Sequence, residues 1–339
     1  TVLNFLLMNG YLETTEDEYS IVKLTEKSQL VSAGKEKVVM KLPKDSDLER
    51  TVKAAENGNS IVTTIDANIQ SIAEKKIDKF IKKTGAKEVS ALVMNPKNGE
   101  IYAMTDYPEY DLNDPFTLNY EADTDEVTQD MLNGMWRNFC INDTYEPGST
   151  FKIITSTAAL ENGVVSMDSG FYCPGYKIVE DRRIRCHKTT GHGSETFVDA
   201  VKNSCNPAFI EIGMRVGTER FFENLDKLGF MGKTGIDLPG EAGTIIHKIE
   251  NVGPVELATM SFGQSFQITP LQLLRAVSAV INGGNLITPH FGVSVSDINE
   301  NELEKFEYEI KEGVIKKETS DTMKNVLEKV VSEGGGIKG

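Results

Sequence analysis

Hydrophobic and polar positions along this chain change their rhythm at Ser60. Before it, residues 1–57 are mixed and charged, with short β-like pieces at Tyr19–Leu24 and Lys37–Leu42. The run KAAENGN at Lys53–Asn59 reads as a turn or linker. From Ser60 the pattern sharpens. Ser60–Ile65 predicts a strand. Asp66 opens a helix through Phe80, with Ile69, Ile72, Ile77 and Ile81 near helical spacing. Val89–Met94 and Glu100–Thr105 predict two strands around the turn Pro96–Gly99, a hairpin signal. Residues 107–130 are acidic and poor in periodicity, hence loop.

The pattern then turns helical. Tyr145–Leu160 reads YEPGSTFKIITSTAAL: a Pro-Gly break, then a helix too apolar on all sides for a surface. Gly170–His192 predicts short strands and turns. Thr196–Asn203 predicts a helix that stops at Ser204-Cys205-Asn206-Pro207, because proline disfavours helix in the residue before it. Helices follow at Ala208–Arg215, Glu219–Leu228, Val255–Met260, Thr269–Ile281 and Ser320–Ser332. Lys233–Gly243 is Gly/Pro-rich turn, and strands return at Phe291–Val295 and Glu307–Ile310. Strand, helix, hairpin, helical block and returning strands predict an α+β fold, a sheet with a helical subdomain beside it. The expected division is a small N-terminal mixed domain at 1–57 and a main domain at 58–339.

Composition narrows the functions. With 339 residues, 39% of them hydrophobic, there is core for two domains. A net charge of −15 leaves no general basic footprint for nucleic acid and is repelled by an anionic membrane surface. No apolar run approaches the ~20 residues of a spanning helix; VLNFLLM near the start is too short. The chain begins without Met and without a signal peptide, so it reads as trimmed, and its compartment is not readable from the termini.

Candidate chemistry centres on Ser149 and Lys152. Their i, i+3 spacing puts hydroxyl and amine on one helical face. A serine in a first turn also meets free backbone N–H groups and the positive helix end. A lysine drawn into an apolar helix has its ammonium form disfavoured by desolvation, so it can serve as base towards the serine. The plain alternative makes Ser149 an N-cap and Lys152 a lysine reaching out to water. Ser204 and Asn206 likewise suit helix-end capping.

Several stretches together resemble the transpeptidase domain of class B penicillin-binding proteins, most of all Gram-positive members, the sporulation-specific branch included. WRNFCINDTYEPGSTFK (Trp136–Lys152) resembles the family's S-x-x-K motif with its approach, and NSCNPAF (Asn203–Phe209) its S-x-N motif. TTIDANIQ (Thr63–Gln70), GKTGIDLPGE (Gly232–Glu241) and SFGQSFQITPLQ (Ser261–Gln272) resemble its flanking segments, and the likeness runs in order over roughly residues 60–332. It implies the fold shared by penicillin-binding transpeptidases and serine β-lactamases. Ser149 would be the nucleophile, Lys152 its base, Ser204 a proton-relay hydroxyl and Asn206 the group that binds the substrate amide. The substrates would be peptidoglycan stem peptides and the inhibitors β-lactams. The family also implies a glycosyltransferase partner and a catalytic domain outside the cell membrane, held by one N-terminal helix absent from this chain. The third family motif, K-T/S-G on a late strand, departs from the pattern. Lys233-Thr234-Gly235 comes too early, in the Gly/Pro-rich turn, and the expected place lies beyond the helix ending near Ser332. On this reading the domain lacks its last strands, a carboxylate-binding lysine and half of its oxyanion hole.

Cys173, Cys186, His187, His192 and Cys205 cluster around the second motif, in a spacing that matches no standard zinc pattern. Thiolates and imidazole suit a closed tetrahedral Zn²⁺ site, with Cys173, Cys186, His192 and Cys205 as ligands. Cys173 and Cys186 are expected as cross-strand neighbours in one hairpin. A Cys173–Cys186 disulfide and free thiols packed as small hydrophobes are the other readings. Cys140 lies apart and reads as a buried apolar residue. Acyl transfer itself needs no cofactor. Besides transpeptidation, the same parts fit a serine hydrolase, either β-lactamase or D,D-carboxypeptidase, or a non-catalytic β-lactam sensor or scaffold.

Overall fold

A computed structural model describes residues 12–14, 22–25, 27, 58–120 and 126–333. The chain divides into two compact units, Thr1–Gly58 and Asn59–Gly339. In the first, Leu12–Thr14 pairs antiparallel with Val22–Leu24. The strand expected at Lys37–Leu42 lies outside the described residues.

In the second unit the predicted elements appear in order. Ser60–Thr63 leads to the helix Ala67–Thr84. Asp66 caps that helix by accepting from the backbone N–H groups of Asn68 and Ile69, which satisfies two donors that lack an intrahelical partner. The hairpin Val89–Met94 with Ile101–Tyr107 lies against it. Gly292–Ser296 sits between Ser60–Thr63 and Glu302–Lys305, joining the two ends of the unit in one antiparallel sheet. Glu302–Lys305 is a strand the pattern did not predict: its ELEK sequence is exposed on both faces and carries no hydrophobic alternation.

Helices fill the remainder. Lys152–Glu161 runs through the main core with seven buried residues. Around it lie Phe197–Lys202, Asn206–Val216, Thr218–Lys227, Pro254–Met260, Pro270–Ile281 and Lys317–Ser332. Its all-round apolarity is explained by this surrounding: Ile154, Ala158 and Ala159 bury on different sides.

Two local expectations are corrected. The helix predicted at Thr196–Asn203 ends at Lys202 with Asn203 as its cap, but Asn206 is not a residue of that helix end. It begins the next helix, Asn206–Val216, with Cys205 as cap and Pro207 in the first turn. Proline is tolerated there because its missing N–H would have no intrahelical partner anyway. Nor do Cys173 and Cys186 share a hairpin. Cys173 ends Gly170–Cys173, which pairs with Gly193–Thr196, whereas Cys186 follows the separate ladder of Tyr176–Val179 with Arg182–Arg185.

Candidate active site

Ser149 lies in a short 3-10 turn, Gly148–Phe151, that runs directly into the Lys152–Glu161 helix. It is not an N-cap, since no side chain caps either segment. Two contacts fix the turn. Phe151 is fully buried and packs edge-on against Phe266 and Phe230, with ring centroids 4.7 and 5.5 Å away. Gly148 donates its N–H to Gly263 O (2.9 Å). Gly263 has φ +85°, and a Cβ there would fall 2.0 Å from Gly148 O. Only glycine permits that approach.

Lys152 is 3% exposed. Its Nζ lies 3.1 Å from Ser149 Oγ and donates to Ser204 O (2.7 Å), Ser204 Oγ (2.8 Å) and Asn206 Oδ1 (2.7 Å). The reading of Lys152 as a lysine reaching to water is therefore set aside. Burial lowers its pKa to about 8, with the nearby Cys186 and Cys205 sulfurs pulling the other way. A neutral amine has two N–H donors and one lone pair, so it can serve two of the three acceptors on the Ser204–Asn206 turn and face Ser149 Oγ with the lone pair.

Ser204 sits at φ +49°, in the left-handed region that a serine seldom occupies. This turns its carbonyl and hydroxyl together onto Lys152. Asn206 uses both ends of its amide: Oδ1 receives Lys152, and Nδ2 donates to Arg185 O (3.1 Å). The four residues proposed from sequence thus converge on one point.

The second set converges as well. Cys173, Cys186, His192 and Cys205 place one ligand atom each within 4.8 Å of one another. All four cysteines of the chain are free and buried. His187 stays exposed, its ring 5.2 Å from that of His192. Cys140 is fully buried as expected, and its Sγ also donates to Asp106 Oδ1 (3.4 Å). Burial pushes the Cys205 thiol well up, with Glu195 adding to it.

Sequence reasoning missed Glu195 and Gly263. Glu195 is 5% exposed, accepts from Asn203 Nδ2 at 2.8 Å and stands 3.8 Å from His192 Nδ1. Nothing in GSET distinguishes a buried acid from a surface one. Lys233-Thr234-Gly235 stands in a loop, where Glu241 accepts the N–H groups of Thr234 and Gly235. Its early position in the sequence already separated it from the third family motif.

The family described as penicillin binding protein transpeptidase domain matches residues 89–339. A second family, RQC domain, matches residues 1–49, a stretch almost wholly outside the described residues. Stage V sporulation protein D of Bacillus subtilis is 41% identical over 298 residues, covering 87% of this chain and 44% of that protein. Peptidoglycan D,D-transpeptidase FtsI of Buchnera aphidicola is 30% identical over 227 residues, covering 66% and 37%. The chain thus spans less than half the length of these relatives. Among solved structures, penicillin-binding protein 3 of Mycobacterium tuberculosis in complex with aztreonam has a TM-score of 0.70 at 25% identity, covering 81% of this chain and 58% of that one.

Proposed function

Because the chain belongs to the penicillin-binding protein transpeptidase family, we propose that it cross-links peptidoglycan through an acyl-enzyme on Ser149. The observation that carries this reading is the buried amine of Lys152, within hydrogen-bond reach of Ser149, Ser204 and Asn206 at once. Lys152 takes the Ser149 hydroxyl proton as Oγ bonds to the penultimate D-Ala carbonyl of a donor stem peptide. The backbone N–H of Ser149, in a first turn without an intrahelical partner, faces the developing oxyanion. The amide C–N bond then breaks, and the terminal D-Ala leaves with a proton relayed through Ser204 Oγ. An amine of a neighbouring stem attacks the ester, the new amide forms, and Ser149 regains its proton. Asn206 orients the donor amide. β-Lactams mimic the donor and remain attached; aztreonam bound to the M. tuberculosis relative supports that part.

The reaction needs no cofactor, but the Cys/His cluster fits a structural Zn²⁺. Tetrahedral ligands at ~2.0–2.3 Å from zinc stand roughly 3.5–3.8 Å apart, a small contraction from the spread seen here. Cys173, Cys186, His192 and Cys205 would hold the ion. Uptake would release thiol protons, and the ion would brace the Ser204–Asn206 turn from behind.

Stem peptides as substrates, a glycosyltransferase partner and a single-pass anchor in the rest of the protein complete the proposal. Among the described residues no helix is long and apolar enough to cross a membrane. Intact-mass analysis with a fluorescent penicillin tests the core of the reading. One label should reside on Ser149, turn over slowly and vanish in Ser149→Ala. Fast turnover favours a hydrolase instead, and absence of labelling a scaffold.

A further inference from the structure

Beside the Cys/His cluster lies a buried carboxyl group to which the acyl-transfer reading gives no part. Glu195 is the third residue of the strand Gly193–Thr196 and points inward. Its Oε1 accepts from Asn203 Nδ2 at 2.8 Å. Its Oε2 is buried without a hydrogen-bond partner and lies 3.8 Å from His192 Nδ1. Glu195 and Asn203 flank the two ends of the short helix Phe197–Lys202, so the bond closes that helix into a loop.

Asn203 immediately precedes Ser204, whose φ of +49° is unfavourable for a side chain with a Cβ. Such a conformation persists only where its surroundings over-determine it. Besides the bond from Asn206 Nδ2 to Arg185 O, three anchors act on this turn. Lys152 holds its inner face, and the backbone N–H groups of Ser204 and Cys205 donate to Val201 O and Ala200 O. The Glu195–Asn203 bond is the third, a side-chain bond from outside the turn. Burial makes that bond directional and its loss costly, because either partner would be left unsatisfied.

Building on the acyl-enzyme reading, we infer that Glu195 is a positioning residue: through Asn203 it holds the Ser204–Asn206 turn where Lys152 can use it. It touches neither substrate nor reacting atoms. Its other oxygen faces the Cys/His cluster, 3.8 Å from His192 Nδ1.

The test measures the acylation rate of the full-length protein with a fluorescent penicillin, together with thermal melting. Glu195→Ala and Asn203→Ala are each expected to acylate roughly 10- to 100-fold more slowly, the range for supporting residues behind a reactive group. The double variant should be no slower than the slower single one. Glu195→Gln keeps an acceptor for Asn203 and should stay within about 3-fold of the wild type, with melting unchanged. Rescue by glutamine and non-additivity are readouts that general loss of packing does not give. The inference is overturned if Glu195→Ala acylates within about 3-fold of wild type, if the two single effects multiply, or if Glu195→Gln is as slow as Glu195→Ala. Should Glu195→Ala not fold, Asn203→Ala and Glu195→Gln decide in the same way. If the wild type itself is not labelled at Ser149, the acyl-enzyme reading fails on its own. A crystal structure of Glu195→Gln and Asn203→Ala then judges the inference, with Ser204 keeping its positive φ in the first and leaving it in the second.

Discussion

Two buried polar centres share the turn Ser204–Asn206, and they are built on opposite terms. Around Lys152, every polar atom has a partner supplied by the chain. Around Cys205, three thiols, an imidazole and a carboxylate oxygen crowd together, and the oxygen is left without one. Burial costs a polar group unless something compensates it. The first centre is compensated internally. The second would be completed by the cation proposed for it. A proton-transfer site gains from being pre-organised, whereas a brace gains from being closed by a tight ligand.

The largest expected effect breaks the first centre. Lys152→Ala removes the base and the anchor of Ser204 and Asn206 together. A general base alone contributes about 10²–10⁴-fold, so acylation should fall by at least ~10³-fold while Ser149 remains in place. Stopped-flow or gel-based labelling with a penicillin measures it. A rate within tenfold of the wild type would remove Lys152 from the mechanism.

The same group dictates a pH profile. Its pKa is lowered to about 8 from 10.5 by burial. Below about 8 the amine is protonated in the folded protein and cannot act as base. Acylation should therefore rise with pH, by roughly 100-fold from pH 6 to 9, levelling above about 8. Stability has the matching sign. The unfolded chain binds the extra proton between about 8 and 10.5, so the penalty of burying a charged lysine is fully present below about 8 and gone above 10.5. A flat acylation profile across pH 6 to 9 would contradict this account.

What could be read from the sequence follows from range. The helices and the Val89–Tyr107 hairpin came from local periodicity, and Ser149–Lys152 from a spacing of three, so both were legible. The convergence of Ser204 and Asn206 on Lys152 was carried by resemblance alone, since a separation of more than fifty residues leaves no local trace. The strand Glu302–Lys305 was missed because both its faces are exposed. Pro207 misled because one residue type both ends helices and begins them. Gly263 could not have been singled out: its reason is the backbone of Gly148, a contact visible only in three dimensions.

A smaller effect separates the second centre from the first. Purified protein is expected to carry one zinc per chain. At zinc about 1,000-fold above Kd the ion contributes roughly 4 kcal/mol, so chelation, or Cys173→Ser, should lower Tm by on the order of 10 °C. Acylation should slow with it, because Cys205 lies between Ser204 and Asn206. Elemental analysis finding no zinc, or a Tm indifferent to chelator, would leave the thiols as packed free cysteines.

The smallest effect asks whether the turn is held by its own bonds or by the helix before it. Thr196 and Asp199 cap the helix Phe197–Lys202 reciprocally: Asp199 N donates to Thr196 Oγ1 (3.1 Å) and Thr196 N to Asp199 Oδ2 (3.2 Å). Losing such a cap costs about 0.5–2 kcal/mol. The Asp199 carboxyl is held below its ordinary pKa by the Thr196 hydroxyl first, with its backbone N–H and Lys202 adding. That contribution is present above the ordinary carboxylate range and is lost as pH falls through the lowered value. Thr196→Ala should therefore lower Tm by a few degrees at neutral pH and by less in acid. Acylation should change by less than about 2-fold, because Asn203 and Glu195 still meet. A drop in acylation as large as that of Asn203→Ala, at unchanged melting, would move the anchor of the turn from the Glu195–Asn203 bond to the cap.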